Sequence, residues 1–297
     1  HTFRDCYNLK GTIPNIPDSV TSMVNTFYNC YNLTGNIPNI PDNVTSMYGT
    51  FAYCSNLTGM PEYIGNSVTN MRNTFYYCNN LTGTIPNIPD SVTDICSAFY
   101  YCNNLTGTIP NIPDKVTDMS NTFCDCHNLT GMMQHIGNSV TNMSFAFDYC
   151  INLTGTIPTI PDGVTNMRHT FYHCNNLKGT IPNIPDSVTD MHQTFYNCYN
   201  LTGVQRIGNG VTNMSQTFYC CSNLSGDVYI HSNNVTNAMN CFYGCSNYHK
   251  NIYVYMNTNT YNTFYKAMGN TITNSNWNAT LKFIYTGEKP PMSTDGA

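Results

Sequence analysis

The stretch CNNLTGTIPNIPD fills residues 78–90 and returns, letter for letter, at residues 102–114, 24 positions later. This spacing constrains the fold more than any other feature of the chain. Cys6, Cys30, Cys54, Cys78, Cys102, Cys126, Cys150, Cys174 and Cys198 follow one another at intervals of 24; Cys221 comes after 23 and Cys245 after 24 more. Apolar positions keep step. Leu81, Ile85, Ile88, Val92, Ile95, Phe99 and Cys102 in one copy become Leu105, Ile109, Ile112, Val116, Met119, Phe123 and Cys126 in the next. A single copy cannot hold itself together. Seven buried side chains return less free energy than fixing the backbone of the whole copy costs, and a lone strand has no pairing partner. Copies must therefore stack, each giving the next its sheet partner and half of its interior.

A period of 24 falls among the leucine-rich coils, which run to roughly 20–29 residues. The predicted fold is an α/β repeat solenoid of about ten coils, with short strands and short helical returns. Leu81 to Ile88 reads as an extended arm bearing Gly and Pro, and IPD as a turn. A second short extended piece, SVTD, follows. The spacing of Val92, Ile95, Phe99 and Cys102 then suits one face of a short helix. Residues 1–246 form the repeat array. Residues 247–297 read as one degenerate coil, an alternating strand in NATLKFIYT and a polar tail, together a C-terminal cap.

The block VTNMRNTFYYCNNL at residues 68–81, and VTDMHQTFYNCYNL at 188–201, resembles the BspA-like leucine-rich repeats of microbial surface proteins. NLTGTIP is also similar to the plant-type repeat, but the placement of Met, Phe and Cys departs from it. The resemblance covers roughly residues 1–246. It implies a right-handed solenoid, an extracellular or cell-surface location, and adhesion or binding in place of catalysis.

A second period lies inside the first. Most coils carry IPD at the turn, but every third carries IGN, beginning at Ile64, Ile136 and Ile207. The turn column thus runs Asp18, Asp42, Asn66, Asp90, Asp114, Asn138, Asp162, Asp186, Asn209. Asn interrupts what would be a continuous run of carboxylates and relieves like-charge repulsion. Calcium between paired Asp residues is the alternative, and too few oxygen ligands stand nearby to favour it. No cofactor or metal is expected.

Eleven cysteines form the regular column and are expected as buried thiols, because stacking points neighbouring side chains in parallel. Cys96, Cys124, Cys220 and Cys241 break register and are candidates for the disulfides Cys96–Cys124 and Cys220–Cys241. N-x-S/T sequons, candidates for glycosylation, stand at Asn32, Asn43, Asn56, Asn80, Asn104, Asn128, Asn142, Asn152, Asn200, Asn213, Asn223, Asn234 and Asn278. A tyrosine row follows the Phe column at Tyr28, Tyr76, Tyr77, Tyr100, Tyr101, Tyr172, Tyr196, Tyr219 and Tyr243. These residues either pack over neighbouring coils or contact a partner protein or glycan.

Charged residues make up 9% of the chain and the net charge is -5, so there is no basic footprint for nucleic acid. No apolar run is long enough to span a bilayer. His residues are scattered, and no HExxH, GxSxG or phosphate-binding loop is present, so no catalytic residue is assigned. The pattern opens in mid-coil with HTFRDCYNL, an uncapped end. Two functions follow as expectations: subunits stacking head to tail into an extracellular filament or surface fibre, or an adhesin whose lateral Tyr/Asn faces bind host protein or glycan.

Overall fold

A computed structural model describes residues 2–245, 252–256, 258, 261–262 and 266, and the backbone of 281–285. The chain forms two compact units, His1–Leu153 and Thr154–Ala297. The first holds β1 (Gly11–Thr12), β2 (Leu33–Asn36), β3 (Leu57–Gly59), β4 (Gly83–Thr84), β5 (Leu105–Thr108) and β6 (Leu129–Gly131). The second holds β7 (Gly179–Ile181), β8 (Leu201–Val204), β9 (Gly226–Tyr229), β10 (Ile252–Met256) and β11 (Leu281–Tyr285). Every pairing is parallel, in the orders β1-β2-β3, β4-β5-β6, β7-β8 and β9-β10-β11. β11 falls within the stretch NATLKFIYT, where the sequence predicts a strand.

Each unit is a β-solenoid of stacked coils, and each coil is tied to the next at more than one column. Besides the named strands, a line of parallel bridges joins Ser22, Ser46, Asn70, Asp94, Asp118 and Asn142 in the first unit, and Asn166, Asp190, Asn213 and Asn237 in the second. This is the second extended piece expected after the IPD turn. The seven inward positions are all buried; Val92, Ile95, Phe99 and Cys102 are inaccessible to solvent.

The helical returns are not there. Helix is almost absent among the described residues. The spacing of the apolar residues instead comes from chained tight turns. Amide N–H groups of Val92, Ala98, Cys102 and Leu105 donate to the carbonyls of Pro89, Ile95, Phe99 and Cys102, each three residues back. Between these turns sit residues in the left-handed region, such as Ser97 (φ 54°) and Tyr101 (φ 61°). A right-handed helix cannot contain them. Alternate amides reach across to the following coil: Ile95 to Asp118, Ser97 to Ser120, Phe99 to Thr122 and Tyr101 to Cys124. The return is therefore half turn and half parallel ladder, and both halves satisfy buried backbone.

Three of the buried columns make directional contacts from coil to coil. Phe rings stack at centroid separations of 5.3–5.8 Å from Phe3 to Phe147, and 5.2–5.7 Å from Phe171 to Phe242. The regular thiols donate to the Phe carbonyl of the preceding coil, as in Cys78 to Phe51 and Cys102 to Phe75, both 3.0 Å. They are small hydrophobes, as expected, and also hydrogen-bond donors. Burial first of all lifts the Cys54 thiol to about 12. Buried Thr hydroxyls form the third column: Thr74 Oγ1 lies 2.7 Å from the Met71 carbonyl and 2.9 Å from that of Met47.

Candidate interaction surfaces

The tyrosines form stacked columns along both units. In the second, Tyr172, Tyr196, Tyr219 and Tyr243 stack face to face at 4.8, 4.5 and 4.8 Å. In the first, Tyr76 stacks on Tyr100 at 4.9 Å and Tyr77 on Tyr101 at 4.8 Å, in two adjacent columns. All nine predicted tyrosines, Tyr28 included, are half-buried. Each ring thus packs over its neighbours and still presents an edge to solvent. Burial, with the neighbouring phenols, lifts Tyr76 to about 12, and Tyr100 is raised as well, so these phenols stay neutral donors at physiological pH. Tyr53 and Tyr149, which the sequence reading left out, occupy the second column and are exposed. Their 24-residue spacing from Tyr77, Tyr101 and Asp125 is the signal that identifies them.

The turn column explains the IGN variation. Asp42 Oδ1 accepts the Asn66 N–H at 2.8 Å and the Tyr63 hydroxyl. Asp114 Oδ1 accepts the Asn138 N–H at 3.0 Å and lies 2.9 Å from His135 Nε2. Asp186 Oδ1 accepts the Asn209 N–H at 2.7 Å and an Arg206 N–H at 2.5 Å. The carboxylate before each IGN turn therefore caps that turn. Glycine is required there: a Cβ on Gly137 would strike the Pro113 carbonyl oxygen, and Gly65 and Gly208 meet Pro41 and Pro185 in the same way. Asp114 is held below the usual carboxylate range, first by the Asn138 amide and then by His135.

Tyr63 and His135 line a polar groove of about 600 Å³ in the first unit, together with Asn87, Asp90 and Asn111. Among the described residues no group of three or more His, Cys, Asp or Glu side chains is placed to hold a metal ion.

Cys96, Cys124, Cys220 and Cys241 stand as thiols. Cys96 accepts the Ser120 hydroxyl at 3.2 Å, in the column next to the bridge line. Cys124 takes a rung of the tyrosine column, beside Asp125. Cys220 lies under Gly244, whose added Cβ would meet its sulfur, and Cys241 fills a place in the buried Thr column. Of the sequons, Asn43, Asn56, Asn80, Asn104, Asn128, Asn152 and Asn234 are exposed; Asn32, Asn142, Asn200, Asn213 and Asn223 are half-buried. Asn278 lies outside the described residues. The Nδ2 groups of Asn32, Asn104, Asn152 and Asn200 donate to carbonyls of the preceding coil.

One column escaped the sequence reading. Asn70, Asp94, Asp118 and Asn142 each turn a side-chain oxygen onto the amide two residues ahead, at 2.9–3.1 Å. The recurring Ser, Asn or Asp after VT is its mark, since these residues start such turns. Arg72 then spans Asp94 and Asp118, at 2.9 and 3.1 Å.

A family profile described as BspA type leucine rich repeat region matches in six copies, over residues 1–106, 71–191 and 167–287. No curated protein matches the chain. No helix among the described residues is long and apolar enough to cross a membrane.

Proposed function

The chain belongs to the BspA-type leucine-rich repeat family, and on that footing we propose that it is a non-catalytic, cell-surface binding scaffold whose tyrosine columns meet a partner protein or glycan. The observation that carries this reading is the stacked, half-exposed tyrosine column present in each unit. Such rings present a row of edges already held in place by stacking, with little side-chain entropy to lose, and hydroxyls that can bond to a polar partner. Exposed sequon residues Asn56, Asn80, Asn104, Asn128 and Asn152 lie in one column, where glycans would add the solubility that charge does not supply. The test is binding of the full chain to extracellular-matrix proteins and a glycan array, compared with Tyr196→Ser/Tyr219→Ser. The reading expects a ligand whose binding falls at least tenfold in the double variant; unchanged binding refutes it.

A second reading, end-to-end association into a fibre, draws on the low charge of the chain, 9% charged residues, which offers little repulsion between copies. A sedimentation coefficient that stays constant with rising concentration would remove it.

A further inference from the structure

The three-coil period leaves hydrogen-bonding groups unused at one place on the turn side of the first unit. Ahead of the IGN turns, Asn39 Oδ1 accepts the N–H groups of Glu62 and Tyr63, and Asn111 Oδ1 those of Gln134 and His135, at 2.9–3.1 Å. Asn87 is followed 23 residues on by Pro110, which has no N–H to give. Asp90 differs from Asp42 and Asp114 in the same way: an IPD coil follows it, and its carboxylate caps no turn. Among the described residues, neither the Asn87 nor the Asp90 side chain has a hydrogen-bond partner. The main chain repeats the pattern. Ile40 and Ile112 N–H groups donate to the Tyr63 and His135 carbonyls, both at 3.1 Å, whereas those of Ile64, Asn87 and Ile88 meet no acceptor among the described residues. Ile64, Asn87, Ile88 and Asp90 all line the polar groove of about 600 Å³, beside the 39% exposed Tyr63.

We propose that this groove is a binding site for a neutral saccharide, held by the unused groups of Ile64, Asn87, Ile88 and Asp90. The turn segments build it, and it does not depend on the reading given to the tyrosine columns. The chemistry of the unused groups selects the ligand. The three main-chain N–H groups only donate, the Asp90 carboxylate only accepts, and the Asn87 amide does both. A cation would satisfy the acceptors alone and an anion the donors alone. A hydroxyl donates and accepts, and a sugar ring carries several at fixed spacing. Water must satisfy these groups in the free protein, and ligand hydroxyls that replace it keep the same bonds. Tyr63 adds an aromatic surface for the apolar C–H edge of a sugar, while its hydroxyl is engaged by Asp42 of the preceding coil. Tyr63, Asn87, Asn111 and His135 are equivalent residues of four successive coils, so the groove crosses three ladder steps, roughly 14 Å. That is room for a short oligosaccharide.

The probes are cellotriose, maltotriose and chitotriose, each titrated into the full chain while backbone amide signals are followed by NMR. At least one should move the amides of Ile64, Asn87 and Ile88 together, with a midpoint of about 1 mM or tighter. Asn87→Tyr places in the groove the residue that the coil before carries at the equivalent position, Tyr63. It should keep the fold and weaken binding at least tenfold by filling the space. Asp90→Ala, at an exposed side chain, provides a second variant and should weaken binding at least fivefold with the rest of the amide spectrum unchanged. No shift with any of the three sugars, or equal affinity in Asn87→Tyr, would overturn the assignment. A trilysine peptide that moves the same amides as tightly as the best sugar would also overturn it, by marking the groove as an acidic surface only. Tyr196→Ser/Tyr219→Ser should leave the sugar titration unchanged, so failure of the tyrosine reading and failure of this one are told apart.

Discussion

Phe99 and Tyr100 are neighbours in the chain, yet their columns obey different rules. The Phe99 ring is fully enclosed and stacks at 5.3 and 5.6 Å on Phe75 and Phe123. Within each unit that column is Phe at every coil. The Tyr100 column accepts Ala52, Cys124 and Asp148 as rungs. The difference lies in what a wrong residue leaves behind. Inside, a smaller side chain leaves a void that close-packed neighbours cannot fill. On the half-buried face a neighbouring ring can lean over the gap, as Tyr53 does beside Ala52, which stays covered. A repeat can therefore vary where it meets solvent, and binding specificity can be written there without disturbing the stack.

The comparison breaks most visibly at Phe99. Phe99→Ala should lower stability by about 3–5 kcal/mol, read from the urea midpoint, because it opens a cavity under two stacked rings. A loss under about 1 kcal/mol would mean the interior can collapse onto the gap. Tyr100→Ala should cost about 1–2 kcal/mol: ring contacts with Tyr76, Tyr77 and Tyr101 and a partly buried face. If the two losses were equal, the distinction between columns would disappear. The smallest effect belongs to the turn cap. Asp114 has a folded pKa below its unfolded value of ~3.9, so its contribution is present above that value and is lost as pH falls through the folded pKa. Asp114→Asn should weaken the protein slightly at pH 7 and flatten the fall in stability below pH ~4. An unchanged acid profile would show that the carboxylate does not hold the Asn138 turn.

Much of this was legible in the sequence, for identifiable reasons. Leu81, Ile85, Ile88, Val92, Ile95, Phe99 and Cys102 are the buried set because only inward positions must repeat to keep a stack closed. The return was misread because chained turns bring an apolar residue inward every three or four positions, the same spacing as a helix. The left-handed residues that separate the two, Ser97 and Tyr101, carry no glycine to announce them. The IGN period was visible, but the bond from Asp114 to the Asn138 amide joins residues 24 apart and depends on the register between coils.

Everything rests on equivalent residues lying above one another, one coil per rung. Encoded azide side chains carrying nitroxides at Thr130, paired in turn with Thr58, Thr34 and Lys10, place labels three, four and five coils apart on one face of the first unit. Pulsed electron resonance should return separations rising in equal steps of roughly 4.8 Å, near 14, 19 and 24 Å before tether corrections. Separations that fail to grow with coil number, or that grow by the longer steps of a helical return, would contradict the register.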